Sequence, residues 1–175
     1  MFGSLARRAV TASTVLAIGG LGAVALQAPA HASDFSAAYT CNIPLSGSQT
    51  VTITGSLTAS PNPATVGSAV NLALHISNLS LSAPVAINNW SATADIAVSG
   101  GETATAQVSG SGGSVPANQP ITGDLSGSWT PTAAGTDSLQ GGNVTVHANV
   151  SILGNVTIPC TPNDPRPVAE TLTVN

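Results

Sequence analysis

Apolar and polar residues alternate strictly along most of this chain, and that pattern constrains its fold more than any other feature. In "QTVTITGSLTAS", Val51, Ile53 and Leu57 fall on one side of an extended chain, while threonines and serines fall on the other. Successive side chains of a β-strand point to opposite faces, so a period of two predicts strands with one buried face. No segment beyond residue 32 sustains the 3.6-residue period of an amphipathic helix.

Turns rich in glycine and proline separate the alternating runs, at intervals that suit an antiparallel meander or Greek key. The later runs are AVNLALHISNL, WSATADIAVSG, ETATAQVSG, ITGDLSGSW, NVTVHANVSIL, NVTIPC and ETLTVN. We therefore predict an all-β fold, a single antiparallel β-sandwich of about eight strands that is immunoglobulin-like in a loose sense. Aromatic residues make up only 3% of the chain, so a core of valine, isoleucine, leucine and alanine would be thin for its surface.

The first 32 residues have the three parts of a secretory signal peptide rather than the pattern of a folded domain. Arg7 and Arg8 give a positive start, an uncharged apolar run follows, and the Ala-His-Ala of residues 30–32 forms an A-x-A cleavage site. We predict a signal peptide at residues 1–32 and a secreted domain at residues 33–175. The alternative is an uncleaved membrane anchor, which is disfavoured because glycines and a proline interrupt the apolar run.

Charge in the predicted mature chain is almost entirely negative. All seven acidic residues lie beyond residue 32, Arg166 is the single base there, and the whole chain contains no lysine. Nucleic acids and anionic membranes are bound by basic faces, which this composition cannot assemble. We predict neither a nucleic-acid partner nor a membrane partner after signal cleavage, and we expect the protein outside the cell or at the cell envelope.

The two cysteines, Cys41 and Cys160, allow four interpretations: lipid attachment, a reactive thiol, a metal site or a disulfide. Cys41 lies beyond the predicted cleavage site and follows "SAAYT", which does not match a lipidation signal. No neighbouring histidine or base would lower a thiol pKa, and two cysteines with two distant histidines do not match zinc-ligand spacing. The residues therefore predict a Cys41–Cys160 disulfide, which an exported protein can keep oxidised.

Residues that could carry catalysis are scattered rather than grouped. His75 and His147 fall on the polar faces of their strands, with no carboxylate cluster beside either in the sequence. The acidic residues occur one at a time, at Asp34, Asp95, Glu102, Asp124, Asp137, Asp164 and Glu170. No calcium loop or G-x-S-x-G nucleophile motif occurs beyond residue 32, and nothing in the spacing predicts a glycosidase carboxylate pair. We predict a protein that is not an enzyme, with no catalytic residues, no metal site and no cofactor.

Three aromatic residues, Trp90, Trp129 and Tyr39, are candidate stacking surfaces for a carbohydrate or another ligand. The alternative is that both tryptophans belong to the core, because each continues the apolar face of its strand. We favour the core interpretation for the tryptophans and keep the three residues as ligand-binding candidates.

The stretches "YTCNIPLSGSQTVTITGSL", "PNPATVGSAVNLAL", "WTPTAAGT" and "VTIPCTP" resemble a family of exported actinobacterial proteins that is known as a domain of unknown function. The shared features are the Tyr-x-Cys-x-Ile-Pro-Leu-x-Gly start and the late cysteine, which here are residues 39–47 and Cys160. The resemblance spans nearly all of residues 33–175. It implies a secreted β-sandwich with a cysteine pair and brings no catalytic residue.

Three functions are compatible with these observations. The first is a non-enzymatic interaction or structural module, acting on a cell-wall polymer or another secreted protein through a Ser/Thr-rich surface and loops such as Ser109–Pro120. The second is a small carbohydrate- or ligand-binding domain. The third is an inhibitor of secreted hydrolases, which is the weakest because no short cysteine-bounded loop is present.

Overall fold

The structure, a computed structural model, describes residues 32–175. The predicted signal peptide lies outside the described residues, apart from Ala32. Nine strands follow one another along the chain. They are β1 (Ser33–Ile43), β2 (Gly47–Ser60), β3 (Val70–Leu79), β4 (Ile87–Gly100), β5 (Ala104–Gly112), β6 (Gly123–Trp129), β7 (Gly135–Val150), β8 (Gly154–Pro162) and β9 (Val168–Val174).

All nine strands belong to one antiparallel sheet, in the order β4-β5-β6-β3-β2-β1-β8-β7-β9. An additional pairing of β4 with β7 joins the two sides of this order, so the hydrogen bonds run around a closed ring of eight strands. The ninth strand, β9, pairs with the first half of β7, while β8 pairs with its second half. The inward side chains of opposite walls therefore pack against each other across the ring.

The all-β, antiparallel prediction is confirmed, with nine strands where about eight were expected. The predicted inward face of β4 is correct, since Ala92, Ala94, Ile96 and Val98 are all buried. The run NVTVHANVSIL was predicted to continue inward at Ile152, but β7 ends at Val150, and Ile152 lies in the following turn and is 77% exposed. Within residues 32–175 there is no helix that is long and apolar enough to cross a membrane.

Two predicted loops are shorter than expected. The segment Ser109–Pro120 was predicted as one loop, but β5 continues as far as Gly112. The run NVTVHANVSIL was predicted as the strand itself, but β7 begins well before it, at Gly135, within the preceding segment TPTAAGTDSLQGG. In both segments the backbone pairs with a neighbouring strand, so long-range pairing overrides the local preference of glycine and serine for turns.

The ring has two ends, which the connections between strands define. Connections 44–46, 80–86, 113–122 and 151–153 form one end, which we name the apolar end. Connections 61–69, 101–103 and 130–134 form the other, which we name the carboxylate end because Glu102 and Asp137 lie there. The most completely buried leucines, Leu57, Leu72, Leu139 and Leu172, pack together in the main core.

The predicted disulfide is present and closes the ring at a short seam. Strands β1 and β8 pair through only three register positions, Tyr39–Cys41 with Cys160–Pro162. Cys41 and Cys160 lie directly opposite each other there, with their Cα atoms 4.0 Å apart and their sulfurs bonded. The seam is extended by Thr40 Oγ1, which donates to Asn163 Oδ1 at 2.9 Å. A disulfide-bonded pair of this kind is consistent with an oxidising compartment.

Candidate functional site

An apolar cavity of about 150 Å³ lies between the walls of the ring. Its lining comes from strands all round the ring and from two connections of the apolar end, which contribute Leu81, Ile121 and Thr122. Thr122 is exposed, so the cavity reaches the surface at that end. Asp95 is the one charged residue in the lining, and it is half-buried with its carboxylate accepting a hydrogen bond from Gln107 on the strand surface.

Small side chains on the two long strands leave this space open. Ala92 and Ala94 of β4 and Ala148 of β7 line the cavity where larger residues would meet across it. Ala94 is only 3% exposed, so the wall it belongs to is sealed from solvent. A void costs free energy because its lining loses contacts, about 24 cal/mol for each Å³, so an empty cavity of this size would cost about 3–4 kcal/mol. A ligand that fills the cavity would recover part of that free energy.

Trp90 lies at the cavity wall near the apolar end and is held by two glycines. A Cβ atom built at Gly112 would be 2.5 Å from the indole ring, and one built at Gly123 would also be 2.5 Å from it. The ring therefore rests directly on the backbone of β5 and β6, which only glycine permits. Trp90 is half-buried and packs against the main core, which confirms the core interpretation while leaving one part of the ring accessible.

Tyr39 is only 3% exposed, so it cannot offer its ring to a surface ligand. β1 turns Tyr39 inward together with Cys41, so this ligand-binding candidate lines the cavity instead of an outer surface. Burial raises the pKa of the Tyr39 hydroxyl above its usual value, and the positive charge of Arg166 partly offsets this rise in pKa. The hydroxyl lies against Gly141, where a Cβ atom would collide with it.

Trp129 is the last residue of β6 and pairs with Val70 of β3. It is half-buried against the main core and does not line the cavity. The structure therefore does not bring Trp90, Trp129 and Tyr39 together on one surface.

A shallow polar groove lies on the outer face of β4, β7 and β8 beside Trp90. Two cross-strand rows form its floor, and we name them together the amide face. The rows are Asn89, Asn149 and Asn155, and Ser91, His147 and Thr157. Hydrogen bonds fix the side chains: Asn149 Nδ2 donates to Asn155 Oδ1 at 2.7 Å, and His147 Nδ1 lies 3.0 Å from Thr157 Oγ1.

His75, the other histidine, has a carboxylate partner that its sequence neighbourhood does not show. Its Nδ1 lies 2.6 Å from Oδ1 of Asp124, because β3 and β6 place the two residues directly opposite each other. Ser56 lies on the other side of His75, in β2, but no hydrogen bond joins Ser56 to His75 among the described residues. The side chains of His75 and Asp124 are 56% and 84% exposed, so solvent surrounds the pair.

Two carboxylates, the buried Asp137 and the half-buried Glu102, hold the carboxylate end together. Asp137 is fully buried, and its Oδ1 accepts a hydrogen bond from the backbone N–H of Glu102 at 3.0 Å. The carboxylate of Glu102 in turn accepts from the backbone N–H of Thr132 at 3.0 Å. These bonds join the β4–β5 turn to the β6–β7 connection, which explains why acidic residues occur at these positions.

Among residues 32–175, no three histidine, cysteine or acidic side chains come close enough together to hold a metal ion.

No protein-family model matches the chain, and no curated protein matches it with significant similarity. The resemblance carried by residues 39–47 and Cys160 therefore stays a prediction.

Sequence reasoning missed the cavity, the amide face and the His75–Asp124 pair for one reason. Each depends on which strands are neighbours in the ring, and alternation within a strand carries no information about its neighbours. A signal was nevertheless present for the cavity, since alanine takes the inward positions 92 and 94 of a strand where leucine or valine is more common.

Proposed function

We propose that this chain is a non-enzymatic, exported binding protein whose cavity takes a small uncharged apolar ligand. The observation that carries the proposal is the apolar cavity of about 150 Å³ that reaches the surface at one end of the ring. An apolar cavity of about this volume in another protein stays free of water and binds benzene, so the space suits one aromatic ring or a short alkyl chain. Binding without chemistry is favoured because the His75–Asp124 pair, which is the best-placed acid–base pair, is exposed and lies outside the cavity.

Export is part of the proposal. It is supported by the signal-like residues 1–32 and by the bonded Cys41–Cys160 pair, which suits an oxidising compartment. The resemblance to exported actinobacterial proteins points the same way.

Binding of benzene and of toluene, each of which has a single aromatic ring, tests the proposal. A ligand that binds the folded state only raises its stability, by about 2.7 kcal/mol at a concentration one hundred times its Kd. We expect both compounds to raise the thermal unfolding temperature. We also expect calorimetry to show a negative heat-capacity change, which accompanies the burial of apolar surface.

The matched variants are Ala94→Leu, which places three more carbon atoms in the cavity, and Ala73→Leu, which makes the same change on the exposed face of β3. Ala94→Leu should lower the affinity for benzene at least tenfold, and Ala73→Leu should leave it unchanged. Equal affinities in the two variants, or no binding by the wild type, would show that the cavity is not a ligand site.

A second candidate function is carbohydrate binding at the amide face. It is supported by the two rows of hydrogen-bonding side chains beside the partly accessible Trp90. Retention on peptidoglycan and insoluble polysaccharides, compared between the wild type and a His147→Ala, Asn149→Ala double variant, tests it. No retention of the wild type removes this candidate.

A further inference from the structure

The four connections at the apolar end contain no charged residue. Their sequences are PLS at 44–46, SLSAPVA at 80–86, GSVPANQPIT at 113–122 and SIL at 151–153. The nearest acidic residue is Asp124, at the start of β6, and it is paired with His75 on the outer face of the sheet. In a chain whose mature part has acidic residues and one base, this end is electrically neutral.

Large exposed apolar side chains are concentrated at the same end. Leu45 is 87% exposed, Ile152 is 77% exposed and Leu153 is 44% exposed. All three lie at the tips of hairpin turns, Leu45 between β1 and β2 and the other two between β7 and β8. Single exposed apolar residues are ordinary on protein surfaces, but apolar tips grouped at one end indicate a contact surface.

Leu45 also has a backbone conformation that disfavours leucine. Its φ angle is +68°, in the left-handed region that glycine and asparagine adopt most readily. Within residues 32–175, the other residue with a side chain and a positive φ is Asn118. Both the backbone and the exposure at position 45 would therefore favour asparagine or glycine. A residue that is unfavourable in both respects points to a function for its side chain.

We propose that the apolar end docks onto a lipid surface whose headgroups carry no net charge, with Leu45, Ile152 and Leu153 among the acyl chains. The charge distribution of the protein favours an uncharged lipid surface over an anionic one. The acidic chain has no basic patch to bind anionic headgroups, whereas its neutral end meets a neutral surface without repulsion. The earlier prediction of no membrane partner was based on the missing basic face, which bears on anionic surfaces only.

The cavity opens at the docking end, since Leu81, Ile121 and the exposed Thr122 belong to its lining and to the connections there. An apolar ligand could therefore pass between the acyl chains and the cavity without crossing water. The passage of ligand through the apolar end rests on the proposed function, whereas the docking onto lipid does not.

Flotation with phosphatidylcholine vesicles and with phosphatidylglycerol vesicles tests the docking. We expect the full domain, residues 33–175, to float with the neutral phosphatidylcholine vesicles and to bind the anionic ones at least tenfold more weakly. A Leu45→Glu, Ile152→Glu double variant should reduce binding to the neutral vesicles at least tenfold. The matched control is a Val66→Glu, Val168→Glu double variant, which changes two exposed valines away from this end, and it should bind as the wild type does.

Leu45→Asn separates docking from folding. Asparagine suits the left-handed backbone, so this variant should unfold at a higher temperature than the wild type while binding neutral vesicles less.

No flotation of the wild type, equal losses in both double variants, or preference for anionic vesicles would overturn the proposal. A stable dimer that Leu45→Glu dissociates would also overturn it, because a second copy would then cover this end. Loss of vesicle binding with unchanged binding of benzene shows that docking and the cavity site are separate properties.

Discussion

The two ends of the ring are closed in different ways. At the carboxylate end the connections are joined by hydrogen bonds that cross from one to another: the Gly67 N–H donates to the Pro131 carbonyl at 2.9 Å, and the Ala64 N–H donates to the Thr173 carbonyl at 2.8 Å. At the apolar end the β3–β4 connection receives bonds from Asn118 and Ser151, but Leu45 extends into solvent.

The ninth strand accounts for much of this difference. β9 lies outside the ring of eight strands, and it adds Leu172, which is fully buried, and Val174, which is 2% exposed, to the main core. Towards the apolar end, alanines line the inside and no additional strand fills the space. The carboxylate end is therefore densely packed, whereas the apolar end exposes apolar surface that a stable monomer does not require.

The largest expected effect concerns the seam that both ends share. Replacing both cysteines, Cys41→Ala with Cys160→Ala, should lower the free energy of unfolding by about 4–5 kcal/mol, because the bond closes a very long loop in the unfolded chain. Denaturant unfolding measures this loss. A loss below about 1 kcal/mol would show that strand pairing and packing hold the seam without the bond.

Core truncation at the two ends tests the comparison directly. Leu172→Ala, towards the carboxylate end, should lower the free energy of unfolding by about 2–5 kcal/mol, because it leaves a cavity in a fully packed region. Leu81→Ala, which changes a half-buried side chain in a connection of the apolar end, should lower the free energy of unfolding by about 1 kcal/mol or less. Equal losses of stability in thermal or denaturant unfolding would show that the carboxylate end is not packed more densely than the apolar end.

Leu45→Asn should raise the free energy of unfolding by about 1 kcal/mol, because asparagine adopts the left-handed backbone more readily than leucine. Leu153→Asn is the control, since position 153 has no positive φ. A stabilisation of the same size in both variants would show that exposure, rather than backbone conformation, makes Leu45 unfavourable.

Tyr39, in the wall between the two ends, reports how far water penetrates the cavity. Its pKa is raised in the folded state, so its contribution to stability is fully present below about pH 10, its usual value, and is lost as the pH rises through the folded pKa. Tyr39 is the only tyrosine and lysine is absent, so absorbance of the phenolate follows this one group. Tyr39→Phe should remove this part of the alkaline loss of stability. A Tyr39 pKa at its usual value would show that water reaches the wall.

The secondary structure could be predicted from the sequence because its physical cause is local. Val51, Ile53 and Leu57 alternate with polar residues, and all three are buried in β2. The disulfide was also predictable, because composition excluded the other roles of Cys41.

The candidate sites could not be predicted, because they depend on which strands are neighbours. Nothing near His75 in the sequence indicates that β6 will place Asp124 beside it, 49 positions away. The cavity likewise depends on the β4–β7 pairing that closes the ring, which brings alanines of distant strands together. The inward position of Tyr39 could be predicted from its alternation with Cys41, but the cavity that Tyr39 lines could not, because alternation within β1 does not show what lies opposite.

The covalent bond at the seam also determines how the molecule responds to tension. Cys41 and Cys160 are 119 positions apart in sequence, and the bonded sulfurs carry any force that reaches them from outside this interval. If β1 is pulled against the segment after Cys160, the strands between the cysteines bear no load and cannot be drawn out. Under such a pull only residues outside the interval, including β9, can be extended, and reduction of the bond would allow the enclosed strands to extend as well.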